Sequence, residues 1–575
     1  MPLTTRSVGR ALAAAVLVGA LGTGAGAAAA SGSADHSGAA VPASAVITPG
    51  AGPVSVAVVV PVTAPATTTG LLSADDLTRY TGPFGTLTRQ LDAVAGTRAT
   101  IALDPLIPAS IRVLGAAAPA SATQWLARLQ ATSNEVFLLA YGDADVVAGV
   151  RTGTVGDLVP SGFGFALDPA NFSPAVTAAP TPAPTETPAP DPGAPPPFPT
   201  TEDVLAWTTA LPRIAWPSAD VGAGDIAGLA AVGYDDVIVP STVAGEPSAP
   251  LVALDGVDAI VADSALSARL AEVVAATAPA TRTAALDALD ADLAARTAAA
   301  PGRGLVLTVD RAWNSTSSGL ADALARLQAT ASANAVELSD ILTTPAIAGQ
   351  LGEGVAAPER DAIFTELAAD AAAETAFSSV LADPGVLLDP RRLERVALYS
   401  LAWEQDAEGW TAAVEAFRER STEILGSVKL EQGSDVALLA RNADLKVSVS
   451  NALPYAVTVT VTVNPRSPIL RANGSKELTI EPESTGTARL PVEAIANGEV
   501  RVLTSITSPT GVPLDSGHAS VTVRAEWEGI GTLVVVIVLA IVFAAGVVRI
   551  VLKRRRSRRA DADPDDADRT EGADG

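Results

Sequence analysis

Residues 530–548 are almost wholly apolar, and Lys553, Arg554, Arg555, Arg556, Arg558 and Arg559 follow at once. At a helical rise of ~1.5 Å per residue this run reaches about 29 Å, close to the hydrocarbon thickness of a bilayer. No other backbone form satisfies its own hydrogen bonds in lipid over one short segment, so the run is expected to be a membrane-spanning helix, with residues 530–552 as the span. Arg549 stands one step beyond the apolar run, where a long side chain can reach the head groups. The cations mark the cytoplasmic side, which places everything before the span outside the cytoplasm and the basic, then acidic, tail of residues 553–575 inside it. The expected location is thus the cell membrane, crossed once, with the bulk of the chain extracytoplasmic.

The other terminus agrees. Arg6 and Arg10 precede an apolar stretch over residues 11–21 and a run of small residues ending at Ala30, the pattern of a secretory signal peptide over residues 1–30. The chain has no cysteine, so disulfides, thiolate metal sites and a lipid-anchored cysteine are all excluded. A formal net charge of -25 argues against nucleic acid as a partner, since duplex binding rests on neutralising phosphates with Lys and Arg.

Between the two apolar ends, residues 54–358 alternate short strands with helices. Continuous apolar runs at residues 54–62, 99–104, 135–141, 213–216, 236–239, 258–263 and 304–310 suit strands buried on both faces of a parallel sheet. Helical spacing separates them, as at Leu266, Leu270, Val273 and Val274. The expectation is a degenerate seven-stranded (β/α) barrel. Residues 174–199 interrupt it with eleven prolines in twenty-six residues, too poor in donors for a ladder, and read as a solvated insertion. Residues 359–425 are helical in pattern, with a packed pair expected over 391–402 and 409–424.

After residue 428 the period changes to two. Val457, Val459, Val461 and Val463 alternate with Thr458, Thr460 and Thr462, and turn signals recur at intervals of about ten residues. A β-sandwich is expected over residues 428–525, so the fold class reads as α/β plus β with one terminal span.

Several segments resemble a known family. They are Ser448-Val-Ser-Asn-Ala-Leu-Pro-Tyr-Ala-Val-Thr-Val459, Asn464-Pro-Arg-Ser-Pro468 and Ala525-Glu-Trp-Glu-Gly-Ile-Gly531. Upstream, Ile101-Ala-Leu-Asp-Pro105, Trp125-Leu-Ala-Arg-Leu129, Ala140-Tyr-Gly-Asp-Ala-Asp145 and Ala215-Trp-Pro217 extend the match. Together they resemble an uncharacterised actinobacterial family of single-span envelope proteins, from about Val54 to Arg559. The resemblance implies a barrel like those of polysaccharide deacetylases and some glycoside hydrolases, an Ig-like juxtamembrane module, and a link to cell-wall assembly. It names cell-wall glycan or an envelope membrane protein, a lipid II flippase among them, as candidate partners.

The residue inventory narrows the chemistry. Deacetylases of that barrel class hold a metal with an Asp and two His, but this chain has only His36 and His518, one beside the signal and one in the expected sandwich. A Ser-His-Asp or Cys-His hydrolase fails on the same count. No metal site and no cofactor is implied. Carboxylates remain: Asp104, Asp145, Asp263 and Asp310 lie at strand ends, where a parallel barrel gathers its sites, and Asp143 lies beside them. Two of them at suitable separation could run glycoside hydrolysis, with Tyr141, Trp216 and Trp313 stacking on sugar rings. The plainer role of such residues is to open turns and helices, as in Asp104-Pro105. The expected function is therefore a non-catalytic binding or scaffold role in the cell envelope, with a metal-independent glycan hydrolase as the alternative.

Overall fold

The computed structural model describes residues 52–172, 198–208, 210–218, 221–245, 248–313, 318–431, 436–472, 474–524 and 527–560. The signal peptide, His36, most of the proline-rich insertion and the acidic tail from residue 561 lie outside the described residues.

A strand forms at each of the seven apolar runs, and three short ones are added. They are β1 (Val54–Val62), β2 (Thr100–Leu103), β3 (Val136–Leu138), β4 (Ile214–Ala215) and β5 (Asp236–Pro240), then β6 (Leu251–Ala253), β7 (Asp258–Ala262), β8 (Gly304–Thr308), β9 (Ala333–Ala335) and β10 (Ile347–Ala348). The seven pair in parallel in the order β4-β5-β7-β8-β1-β2-β3. β6, β9 and β10 were not legible in advance: two or three residues carry no period of their own.

β1 explains the layering. Val54, Val56, Val58, Val60 and Val62 pack outward with the helices, while Ala57 and Val59 turn inward and meet Ala102, Phe137, Ile214, Ile238, Ile260 and Val306. One apolar cluster thus takes side chains from all seven parallel strands, which requires the sheet to curl round on itself. β3 and β4 do not pair, so the curl is open along one seam. Leu338 and Ile341, on the short helix Leu338–Leu342, join the inner cluster at the end where the strands begin. The interior is a packed apolar core at that end.

Helices cover the outside. After β1 come two, Ala74–Thr81 and Thr86–Val94, separated by a turn from Gly82 to Gly85. A Cβ on Gly85 would lie 2.0 Å from the Tyr80 carbonyl oxygen, so the sharp turn tolerates only glycine. Further on, the helices Pro358–Phe377, Gly385–Leu398 and Ala407–Leu425 pack together around a buried polar network. Arg391 donates to Glu374 Oε1 from Nε (3.0 Å), and a second guanidinium nitrogen reaches the Ser421 hydroxyl at 2.6 Å.

Two sheets follow. β11 (Val428–Leu430), β13 (Asn442–Asn451), β15 (Leu470–Ala472) and β17 (Ser484–Ala494) form one, in the order β11-β13-β17-β15. β12 (Val436–Leu438), β14 (Val457–Pro465), β16 (Ser475–Ile480), β18 (Gly498–Thr507) and β19 (Pro513–Val523) form the other, in the order β12-β19-β18-β14-β16. Pairing is antiparallel except between β12 and β19. Val457, Val459, Val461 and Val463 share a core with Leu445, Val447, Val449 and Leu490, so the sheets stack face to face. Phe377, Val380, Leu381 and Leu387 of the helical segment enter that same core at one end. The last helix, Trp527–Ala560, carries the one stretch among the described residues long and apolar enough to cross a membrane, Thr532–Arg556.

Candidate functional site

The end of the curled sheet where the strands finish gathers most of the residues singled out from sequence. Asp104 follows β2, with only 1% of its surface exposed. Its Oδ1 accepts from the backbone N–H groups of Leu106 and Gly142, both at 2.9 Å. Burial, and next to it the charge of Asp143, push its carboxyl from 3.8 up to about 7, although hydrogen bonds from Leu106, Gly142 and Ala64 oppose this.

After β3 the chain turns through Tyr141-Gly142-Asp143. Gly142 has φ 66° and Asp143 φ 49°, two left-handed residues in succession, and Asp is one of the few side chains that visits that region. The turn aims Asp143 at Arg311, whose Nε lies 2.6 Å from Oδ2. Burial raises the Asp143 carboxyl, and the Arg311 guanidinium pulls it back. Arg311 also donates to the Trp216 carbonyl and lies 4.9 Å from the centre of that indole ring. It comes from the loop after β8, so it crosses the mouth and ties the loop after β3 to the loop after β4, the two strands that do not pair.

The same seam is closed once more, and a further ion pair ties its β3 side to the helical segment. Arg151, on the helix Val146–Thr152, makes a bidentate pair with Asp225 at 2.9 Å for both bonds. Asp145 caps that helix, accepting from Val147 and Ala148, and its Oδ2 lies 2.8 Å from Arg360 Nε. Arg360 also donates to the carbonyls of Tyr399 and Ser400, so the helical segment is fastened to the sheet here.

The other singled-out residues take no part in these side-chain ion pairs. Asp263 caps the helix Ser264–Ala275 and pairs with Arg296 at 3.0 Å, on the outer helical layer rather than at the mouth. Asp310 is exposed, and its carbonyl accepts from Trp313. Tyr141 is buried, its hydroxyl donating to the Gly70 carbonyl at 2.8 Å, and Trp313 is buried with its indole N–H on Pro61. Neither ring offers a face for a sugar; Trp216 is half-buried beneath Arg311. His518 lies exposed on β19. Asp143, a candidate ligand contact from its place at a strand end, is engaged by Arg311. Among the described residues no three His, Asp or Glu side chains are grouped to hold a cation.

Arg311, Arg360, Arg151 and Asp225 were not anticipated. A weak signal existed for one of them: Arg311 directly follows a strand-end Asp. A second acidic group also went unforeseen, at the opposite end of the sheet. There burial and the neighbouring Asp258 and Asp235 raise Asp236 to about 6.

The model of a family of unknown function (DUF6049) matches residues 11–566. The chain belongs to this family. No curated protein matches it. Among solved structures, the α-amylase AmyC of Thermotoga maritima is 10% identical over 65% of this chain and 93% of its own, with a TM-score of 0.41. The native α-2-macroglobulin of E. coli is 17% identical over 17% of this chain and 7% of its own, at 0.15. SSP-19, an MSP-domain-like protein of Caenorhabditis elegans, is 10% identical over 16% of this chain and 94% of its own, at 0.13. Likeness at this level says nothing of substrate or reaction for a member of the DUF6049 family.

Proposed function

We propose that this protein is a membrane-anchored, extracytoplasmic component of the bacterial cell envelope that works by binding, as a scaffold linked to cell-wall biogenesis, rather than by catalysis. The observation that carries this reading is the engagement of the mouth carboxylates. Asp104 accepts from backbone amides, Asp143 holds Arg311, and Asp145 caps a helix and holds Arg360. A general acid or nucleophile must present a free oxygen to the scissile bond within hydrogen-bond reach, and these oxygens face their own protein. Together they hold the loop after β3 against β2, the loop after β4 and the helical segment, which is a structural task. The sandwich then serves as an Ig-like spacer that holds the curled sheet above the bilayer, where a wall glycan or an envelope membrane protein such as a lipid II flippase would be met.

One observation favours a second reading. Asp104 and Asp143 are adjacent, both raised, and lie at the strand ends, as an acid and its companion carboxylate would in a metal-independent glycan hydrolase. The full chain in detergent, incubated with purified wall glycan, separates the two. Retained glycan or a co-purifying membrane protein without product release supports the scaffold, whereas release that disappears in Asp104→Asn supports the hydrolase.

A further inference from the structure

The chain leaves the sandwich at β19 and enters the apolar helix at Trp527. Three residue steps separate Arg524 from Trp527, a reach of at most about 11 Å. The helix adds about 7.5 Å before Thr532. Whatever surface that helix enters therefore lies close to one end of the sandwich. The strand registers say which groups stand there, because Asn442 pairs with Glu493, Leu470 with Ala494, Gly498 with Val523 and Pro465 with Val502.

That end differs from the rest of the molecule. Arg441, Arg466, Arg471 and Arg524 gather on it against Glu493 and Glu499, while Arg501 and Asp444 stand slightly further in and offset each other. In a chain of net charge -25 this is a local excess of cations. Arg441 and Arg471 share the single carboxylate of Glu493, at 3.4 and 3.9 Å, and their side chains stay 71% and 63% exposed. Beside them Leu439 is 63% and Ile495 42% exposed, two of the few large apolar residues outside the last helix that face solvent. Between β14 and β15, Arg466, Ser467, Arg471 and Ile495 line a shallow cavity of about 550 Å³. The opposite end of the sandwich carries Glu431, Glu481, Glu483 and Asp515 against Lys429, and docks on the helical segment instead.

We infer that this end of the sandwich is a docking surface for anionic phospholipid head groups, with the arginines on the phosphates and Leu439 and Ile495 at the acyl boundary. Juxtamembrane cations are attracted to an anionic leaflet, and arginine binds phosphate bidentately with little loss of hydration. Exposed aliphatic side chains next to them suit the interface between head groups and chains. The surface would hold the ectodomain at a fixed height and tilt over the membrane, which a single covalent attachment does not by itself impose. The inference rests on Thr532–Arg556 being a span.

The absence of cysteine makes the test clean. Ser467→Cys in the full chain, labelled with an environment-sensitive fluorophore and reconstituted into vesicles, reports this end; Thr485→Cys reports the other. In vesicles containing phosphatidylglycerol the Ser467 label should shift to the blue and lose about two-fold or more of its quenching by aqueous acrylamide, relative to pure phosphatidylcholine. Combined Arg441→Gln, Arg466→Gln and Arg471→Gln substitutions should abolish that difference, and the Thr485 label should show none. Equal signals in both lipids, a difference that survives the arginine substitutions, or the same shift from inorganic phosphate in detergent would overturn the inference. Flotation of the vesicles after carbonate washing checks insertion separately, so failure of the span and failure of the docking surface are told apart.

Discussion

The two polar ends of the part before the last helix handle charge in opposite ways. At the mouth of the curled sheet, Asp104, Asp143, Asp145, Arg311 and Arg360 are largely removed from solvent, and every one has a named partner inside the protein. At the end of the sandwich next to the last helix, Arg441 and Arg471 share one carboxylate and remain mostly exposed. Buried charges are tolerated when paired and become costly when a partner is removed, whereas exposed pairs add little to stability. A curled parallel sheet can gather a ligand site at its strand ends, yet here the carboxylates at those ends are engaged by groups of the same chain. The exposed arginines contribute little to folding and are therefore available for binding.

The sharpest way to break this contrast is to delete one cation at each end. Arg360→Ala takes this guanidinium away from the buried Asp145 carboxylate and from the Tyr399 and Ser400 carbonyls, and should cost about 3–5 kcal/mol in chemical denaturation of the full chain in detergent. Arg311→Ala should cost somewhat less, about 2–4 kcal/mol, because the seam keeps its Arg151–Asp225 closure. A value under 1 kcal/mol for either would remove the structural role assigned to the mouth.

Asp104 offers a test by pH. Its carboxyl is raised from 3.8 to about 7 in the folded chain, so the folded state holds a proton that the unfolded state has lost between those values. Stability from this group is full below about pH 4 and falls as pH rises to about 7, by on the order of a few kcal/mol. Melting temperature followed from pH 4 to 8 should decline more in the native chain than in Asp104→Asn, which has no proton to lose. Parallel profiles would place Asp104 in a far more polar setting than the structure gives it.

The smallest effect belongs to the other end. Arg471→Gln should change stability by no more than about 0.5 kcal/mol in the same denaturation experiment. A loss as large as that of Arg311→Ala would erase the difference between the two regions.

Much of this architecture could be read from the chain. β1 is legible because its nine residues form a mostly β-branched run, buried at all but Ser55, and β14 because Val and Thr alternate strictly over residues 457–463. β4 has only two residues, but it follows a recognisable break and precedes Trp216-Pro217. The site was less legible. Strand-end aspartates were found by position, and three of the five carboxylates considered, Asp104, Asp143 and Asp145, do converge. Their partners were not found, because Arg311 lies 168 residues from Asp143 and Arg360 lies 215 from Asp145. Sequence shows where a carboxylate sits along its own strand and carries no mark of the cation that meets it from a distant helix or loop. Tyr141 and Trp313 mislead for a related reason: an aromatic residue at a strand end can face a ligand or the backbone of a neighbouring loop, and here both hydrogen-bond to carbonyls.

Carbodiimide-driven amidation of carboxylates on the full chain in nanodiscs, mapped residue by residue with mass spectrometry, tests the central claim most directly. If the mouth carboxylates are engaged in holding the fold, Asp104, Asp143 and Asp145 will resist modification while the exposed Asp310 and Glu499 react readily. Modification of Asp104 and Asp143 at the rate of Asp310 would contradict the account and return the mouth to consideration as an open active site.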